Sequence, residues 1–254
     1  MLHYAVLFVA ALLAGAINSV AGGGTLLTFP ALLAVLGPGM SVVANATSTV
    51  ALVPGSLSAF WGYRGEMAGS RSDLARMAVP SLLGGLLGAI FVVHVGSKAF
   101  SHSIPYLIFS ATLLFIIQEP VRRWLAKRGT GAGEKPVTPG AMVFQFFVAL
   151  YGGFFGAGIG ILMLAALGLM GQTNIHRMNG LKNFAAVCIN GVAAVTFIVL
   201  RQVRWELALL MAVAAILGGY GGAGLARKVG QANVRRFVIA VGLGIGVFTL
   251  VHPL

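Results

Sequence analysis

The stretch SVAGGGTLLTFP, Ser19–Pro30, places three consecutive glycines inside a long apolar run. Glycine weakens a helix interior by about 1 kcal/mol relative to alanine, so the run predicts a broken helix. A break leaves unpaired N–H groups at one end and C=O groups at the other, and in a bilayer these survive only where they line a cavity or bind something. The N-terminus of the second arm carries partial positive charge and suits an anion. Glycine also lets the backbone approach a ligand with no side chain in between. A similar string, AGIGILM (Ala157–Met163), matches AGGGTLL (Ala21–Leu27) at an offset of 136. Gly22, Gly23 and Gly24, with Gly156, Gly158 and Gly160, are therefore candidate binding residues. Tight helix packing through small residues is the plainer alternative. No strand precedes GAGIG, so it is not read as a dinucleotide fingerprint.

Composition puts these motifs in a membrane. Of 254 residues, 58% are hydrophobic and 9% charged, against about 25% charged in a soluble domain. No Lys, Arg, Asp or Glu precedes Arg64. Strand-type alternation is absent, so the spans are expected to be helices. The net charge of +12 lies in short loops between apolar segments, where the positive-inside bias puts it. Nucleic acid is therefore not an expected partner. The single cysteine, Cys188, excludes an internal disulfide, and residues 1–20 lack the basic start of a signal peptide.

The apolar segments are Tyr4–Leu36, Ser41–Trp61, Leu74–Val95, Ile104–Gln118, Pro139–Met170, Asn183–Leu200, Leu207–Ala226 and Val234–Val251. The polar, basic stretch from Glu119 to Pro139 separates two halves that resemble each other. Beyond the glycine motifs the offset becomes 134: Asn45 pairs with Asn179, LLGGLLGA (Leu82–Ala89) with ILGGYGGA (Ile216–Ala223), and Val95-Gly96 with Val229-Gly230. Landmarks in the same order imply an internal duplication. The expected organisation is a first membrane repeat at 1–118, a basic cytoplasmic linker at 119–138 and a second membrane repeat at 139–254. Gly84 and Gly88, like Gly218 and Gly222, have the four-residue spacing of small-residue helix packing.

Segments one and five, of 33 and 32 residues, exceed the roughly 20 needed for one crossing. The arm Thr25–Leu36 would rise only about 18 Å, less than a core of roughly 30 Å. Each long segment is thus either one broken crossing or a hairpin that returns to its own side. With single crossings the loop charges divide into 10 basic residues inside and 6 outside; with hairpins they divide into 13 and 3. The second division follows the positive-inside rule better and makes the halves inverted repeats, each a glycine-broken segment plus three transmembrane helices. The sequence leaves both arrangements standing.

A second group of candidates opens segments two and six. NATSTV (Asn45–Val50) supplies Asn45, Thr47 and Ser48; its counterpart NGLKNF (Asn179–Phe184) supplies Asn179, Lys182 and Asn183, with Asn190 beyond. A cation just inside an apolar run either snorkels to the interface or serves as an anion ligand. All five acids, Glu66, Asp73, Glu119, Glu134 and Glu206, fall in loops or at span ends. An intramembrane carboxylate is what a cation or proton pathway normally requires, so the expected ligand is an anion. Asn18, Ser19 and Gln145 could add hydrogen bonds. His3, His94, His102, His176 and His252 stand at segment edges without metal-ligand spacing, so no metal site is expected; His176 with Arg177 reads as a solvated loop pair or an anion antechamber. No nucleophile–base set falls in the spans, so no catalytic residue or cofactor is expected.

The two glycine-broken segments, the helix GG-x-x-GA in each half, GAINSVAGGGTLLTFPALL (Gly15–Leu33) and LKN (Leu181–Asn183) resemble the TauE/SafE family of sulfite and organosulfur exporters. That resemblance covers nearly the whole chain. It implies a multi-pass permease of the bacterial inner membrane that moves a small sulfur-containing anion, such as sulfite, sulfoacetate or a related sulfonate, mostly outward. One position departs from the family pattern of a proline after each glycine motif: Pro30 is present, but Ala166 occupies the matching place.

The resulting expectation is an all-α integral membrane transporter of two inverted repeats. One anion site lies between them, and transport occurs by rocking one repeat against the other. The partners are a small anionic substrate and membrane lipid; a homodimer is compatible with the sequence and not required by it. A channel-like conductor of small inorganic anions is the alternative reading, and a membrane-embedded enzyme has no visible machinery.

Overall fold

A computed structural model describes residues 2–20, 23–62, 71–128, 137–169, 175–229 and 231–251. Gly22 lies outside them. Apart from a short 3₁₀ turn at Pro38–Met40, the regular structure among these residues is α-helical: α1 Leu2–Val20, α2 Thr25–Leu36, α3 Ser41–Gly62, α4 Arg71–Arg128, α5 Pro139–Phe154, α6 Ile159–Leu169, α7 Ile175–Val199, α8 Trp205–Val229 and α9 Gln231–Val251.

Both glycine motifs interrupt helices, separating α1 from α2 and α5 from α6. At the first break Gly23 has φ +99°, and at the second Gly158 has φ +79°, a backbone region that L side chains rarely adopt. The other ends are conventional. Thr138 accepts a bond from the Ala141 N–H and Pro139 opens α5, while Gly37 closes α2 with its N–H on the Leu33 carbonyl at 2.8 Å.

Each broken segment turns back on itself. Val6 and Leu13 of α1 share a groove with Ala34 and Leu27 of α2, and Tyr4 and Leu36 line one cavity at its end, so α1 and α2 run antiparallel. In the second half, Asp73 accepts from the Val137 N–H ahead of α5 and pairs with Arg177 at the start of α7. The chain therefore enters α5 and leaves for α7 at the same end of the molecule.

Two boundaries differ from the sequence reading. Leu74–Val95 and Ile104–Gln118 are parts of one run, α4, broken only at Gly96 (φ 76°) and continuing to Arg128; the expected linker thus begins as helix, with Glu119 and Arg123 paired one turn apart. Helix α7 starts at Ile175 rather than Asn183, because Met178 and Leu181 are buried among Met77, Val148, Met163 and Leu167. Lys182 consequently stands about two turns inside a helix instead of at its mouth.

The most extensive helix pairings are α1 with α8 and α4 with α5, and each joins one half of the sequence to the other. Along the α4–α5 pair, contacts keep a near-constant spacing: Asp73 to Val137, Ser81 to Gln145, Gly88 to Leu150 and Phe91 to Phe154, so the N-terminal arm of α4 and α5 are parallel. At Gly84 and Gly218 an added Cβ would fall on a backbone carbonyl of the facing helix, Phe146 or Leu12. Small residues let these backbones touch.

The outer faces are apolar. Leu83, Leu87 and Phe91 on α4, Val143 and Phe147 on α5, Leu209 and Val213 on α8, and Val247 and Phe248 on α9 are exposed. Water does not tolerate so extended an apolar surface, whereas lipid does. Among the described residues, Ser72–Val121 and Arg177–Val199 are long and apolar enough to cross a membrane.

Candidate functional site

Both helix breaks face one small cavity of about 90 Å³. The first break contributes Asn18, Gly23 and Thr25, the second Gly156, Gly158, Ile159, Gly160 and Ile161. Helix α3 adds Thr49, Leu52, Gly55 and Ser56, and α7 adds Lys182, Asn183, Ala186 and Asn190.

The lining residues recur in pairs. Thr49 and Asn183, Leu52 and Ala186, and Ser56 and Asn190 are each 134 positions apart; Gly23 and Ile159, and Thr25 and Ile161, are each 136 apart. These are the two offsets that relate the halves, so corresponding parts of each half face the same space. Ser56 and Asn190 touch directly, the Asn190 Nδ2 donating to the Ser56 Oγ at 3.2 Å.

Lys182 departs from this pairing. Its counterpart, Ser48, lies outside the lining and is buried in a hydrogen bond to Thr28 at 2.6 Å. Thr28 in turn donates to the Gly24 carbonyl at 3.2 Å. The Lys182 stem lies against Gly160, whose added Cβ would sit 3.4 Å from the Lys182 Cδ. No carboxylate is among the lining residues. Both breaks thus present helix N-termini to a space whose one formal charge, among the described residues, is positive; such a space is suited to an anion.

The other sequence candidates lie around the cavity. The Gly24 N–H donates to Asn18 Oδ1 at 2.8 Å, which ties the residue before α2 to the end of α1. Asn45 Nδ2 donates to the Phe154 carbonyl at the end of α5, at 3.0 Å. Thr47 is buried and accepts from the Arg204 N–H at 3.1 Å. Asn179 is half-buried and not in the lining. Gln145 donates to Ser81, away from the cavity. Among the described residues, Gly23, Gly156, Gly158, Gly160, Lys182, Asn183 and Asn190 share the cavity, whereas Gly24, Asn45, Thr47, Ser48 and Asn179 do not line it. The sequence reading missed Thr25, Thr49 and Ser56 as lining residues. The 134 offset applied to Asn183 and Asn190 would have pointed to Thr49 and Ser56.

Residues 7–249 match the family described as Sulfite exporter TauE/SafE. The chain is 29% identical over 239 residues to the Probable membrane transporter protein YfcA of Escherichia coli (strain K12), covering 93% of this chain and 85% of that protein. It is 25% identical over 251 residues to the Probable membrane transporter protein ORF9 of Sinorhizobium sp, covering 98% and 93%. A Probable membrane transporter protein of Haemophilus influenzae is 26% identical over 246 residues, covering 92% and 89%. No solved structure matches. With apolar helices and nearly its whole length matched, the chain is a membrane transporter that belongs to the TauE/SafE sulfite exporter family.

Proposed function

We propose that the protein is a multi-pass permease of the bacterial inner membrane. It exports a small sulfur-containing anion, namely sulfite, sulfoacetate or a related sulfonate, by alternating access. The observation that carries this reading is the convergence of both broken-helix N-termini and Lys182 on one cavity without a carboxylate. The oxoanion lies against Gly23, Gly156, Gly158 and Gly160, with Lys182 neutralising its charge and Asn183 and Asn190 donating hydrogen bonds. Asn45, Thr47, Ser48 and Gly24 hold the helices that carry these ligands. Asn179 stands one turn before Asn183 on α7, and Gly22 precedes Gly23 in the glycine motif.

Residues 1–118 and 139–254 form two inverted repeats, with 119–138 a cytoplasmic linker. The returning courses of α1–α2 and α5–α6 support that topology, since each repeat then has a hairpin and three crossings. The end that carries Asp73, Val137 and Arg177 faces the cytoplasm, because the hairpin arrangement assigns 13 basic residues to that side and 3 to the other.

Thermal protection of the purified protein tests the site. Ligands that bind the native state raise its apparent stability by mass action. Sulfite, sulfate, thiosulfate, sulfoacetate, taurine and chloride are compared on wild type and Lys182→Ala. A selective shift with one sulfur anion, lost in the variant, is expected. A shift that survives the substitution returns Lys182 to a membrane-interface anchor, and no shift with any of the sulfur anions removes the substrate class.

A further inference from the structure

We infer that the anion site opens along the seam between α3 and α7, parting Ser56 from Asn190, and that the two bodies separated there are swapped relative to the two sequence repeats. The inference rests on the alternating-access reading above and specifies which helices move and which pair they part.

Ser56 and Asn190 are 134 positions apart and hydrogen-bonded to each other. Each is the other's counterpart in the duplication, and a residue that touches its own counterpart lies on the axis relating the halves. Both also line the cavity. Their bond uses one of the two N–H donors of the Asn190 amide and leaves the other for an oxoanion in the cavity. Binding and opening therefore act on the same side chain.

The contacts on either side of this seam are of another kind. Helix α1 is set against α8 through Gly15 and Gly218, and α4 against α5 through Gly84, Gly88 and Gly153, positions where an added Cβ would strike facing backbone. Such close-packed surfaces do not slide continuously. Helix α3 is fastened to the first body by the Thr28–Ser48 bond and by Thr47, which holds the Arg204 N–H just before α8. Helix α7 is fastened to the second body by Ile189 packed on Gly85 and Gly152, and by the Arg177–Asp73 pair. One body thus contains α1, α2, α3 and α8; the other contains the N-terminal arm of α4 with α5, α6 and α7. Each draws helices from both sequence halves. The bodies meet along α3 and α7, which pack on each other as extensively as α3 does on α8. Gly55 and Gly191 there are not set against backbone, an added Cβ on either having nothing within 4 Å. The contacts are Ser56–Asn190, Asn45 to the Phe154 carbonyl, and the ring pairs Phe29–Phe155 and Phe60–Phe184. Phe100, on the C-terminal arm of α4, touches Phe29 on one side and Phe154 and Phe155 on the other. Rocking of one sequence repeat against the other would instead tear both glycine-packed pairings.

Cross-linking separates the two cases, because Ser81–Gln145 and Ser56–Asn190 both join one sequence half to the other. In a Cys188→Ala background, Ser56→Cys with Asn190→Cys and Ser81→Cys with Gln145→Cys are reconstituted in liposomes. They are bridged with dibromobimane, whose thioether links sulfite does not cleave. Phe60→Cys with Phe184→Cys and Phe91→Cys with Phe154→Cys repeat the comparison at the seam and in the α4–α5 pair. Counterflow of ³⁵S-labelled sulfite is measured before and after bridging. The seam pairs are expected to lose at least tenfold on bridging and the α4–α5 pairs to stay within twofold. Equal loss in both sets overturns the swapped bodies in favour of the sequence repeats, and undiminished counterflow with the seam bridged overturns the seam. Because Ser56→Cys with Asn190→Cys removes a ligand, its bridging is read against its own unbridged rate, and the Phe60–Phe184 pair decides where that rate is lost. Absence of counterflow in the Cys188→Ala parent overturns alternating access of sulfite itself, and the inference with it.

Discussion

The side chain of Lys182 lies along Gly160, with its Cδ 3.4 Å from where a Cβ on that glycine would stand. A lysine two turns into α7 is thereby laid beside the opening turn of α6. Charge and helix N-terminus reach the same 90 Å³ cavity from different elements. Lys182→Ala is expected to weaken anion binding about 10- to 100-fold, the equivalent of losing one hydrogen bond to a charged group, about 1.5–3 kcal/mol. Gly160→Val should do the same by displacing the stem while leaving the charge. Isothermal titration with the anion that protects wild type measures both, and unchanged affinity in Lys182→Ala removes the lysine from the site.

Gly23 is constrained twice: its φ is +99°, and an added Cβ would enter the Phe115 ring. Gly23→Ala should lower stability by more than the strain of a left-handed residue alone, about 1–3 kcal/mol. Gly39 has open space around it, and Gly39→Ala should stay within about 0.5 kcal/mol. Melting temperatures in detergent compare them; equal values would mean that the first break does not need its glycine.

The packing glycines give a second contrast. Gly218→Ala places a methyl on the Leu12 carbonyl, and overpacking of this kind costs about 1–3 kcal/mol. Gly84→Ala should cost a similar amount, because it is the counterpart position against α5. Gly244, in α9 with nothing nearby, should gain up to about 1 kcal/mol from Gly→Ala through helix propensity. Thermal scans of the three variants should therefore show two falls and one rise.

Asp73 is 2% exposed and holds the Val137 N–H with one oxygen and Arg177 with the other. Asp73→Ala leaves a half-buried guanidinium and a backbone N–H without this acceptor. The loss should approach the lower end of the about 3–5 kcal/mol that removing one partner of a buried pair costs. Asp73→Asn keeps an acceptor and should cost less. Denaturation of both variants checks the order.

Membrane potential should assist export. With no carboxylate in the cavity lining to exchange a proton, a departing anion carries its charge from the negative inside to the outside. It gains about 2.3 kcal/mol per charge per 100 mV. Efflux from proteoliposomes clamped at different potentials should rise as the interior becomes more negative. A rate independent of potential would require a coupling ion, for which carbonyls at the helix breaks are the natural ligands.

The long apolar segments, the glycine breaks, the duplication and the lack of acid within the spans were legible along the chain. They depend on local composition: glycine resists helix wherever it clusters, and a charge in lipid is costly wherever it stands. Seven of the candidate residues share the cavity because the breaks and the polar turn of α7 carry those same local signals. Ser56, Thr25 and Thr49 were not singled out, since a hydroxyl in an apolar helix bonds equally well to its own backbone. Thr49 does so, donating to the Asn45 carbonyl at 2.9 Å.

By itself the sequence determined a helical membrane protein with two related halves and two broken helices, because hydropathy, charge placement and glycine propensity act over a few neighbouring residues. Only the tertiary structure decided that each broken segment turns back, that α1 packs on α8 and α5 on α4, and that Ser56 meets Asn190. Those outcomes depend on which glycine faces which distant carbonyl. Contact between backbones 62 to 68 or 200 to 206 positions apart is a matter of shape, and no local pattern of residues encodes it.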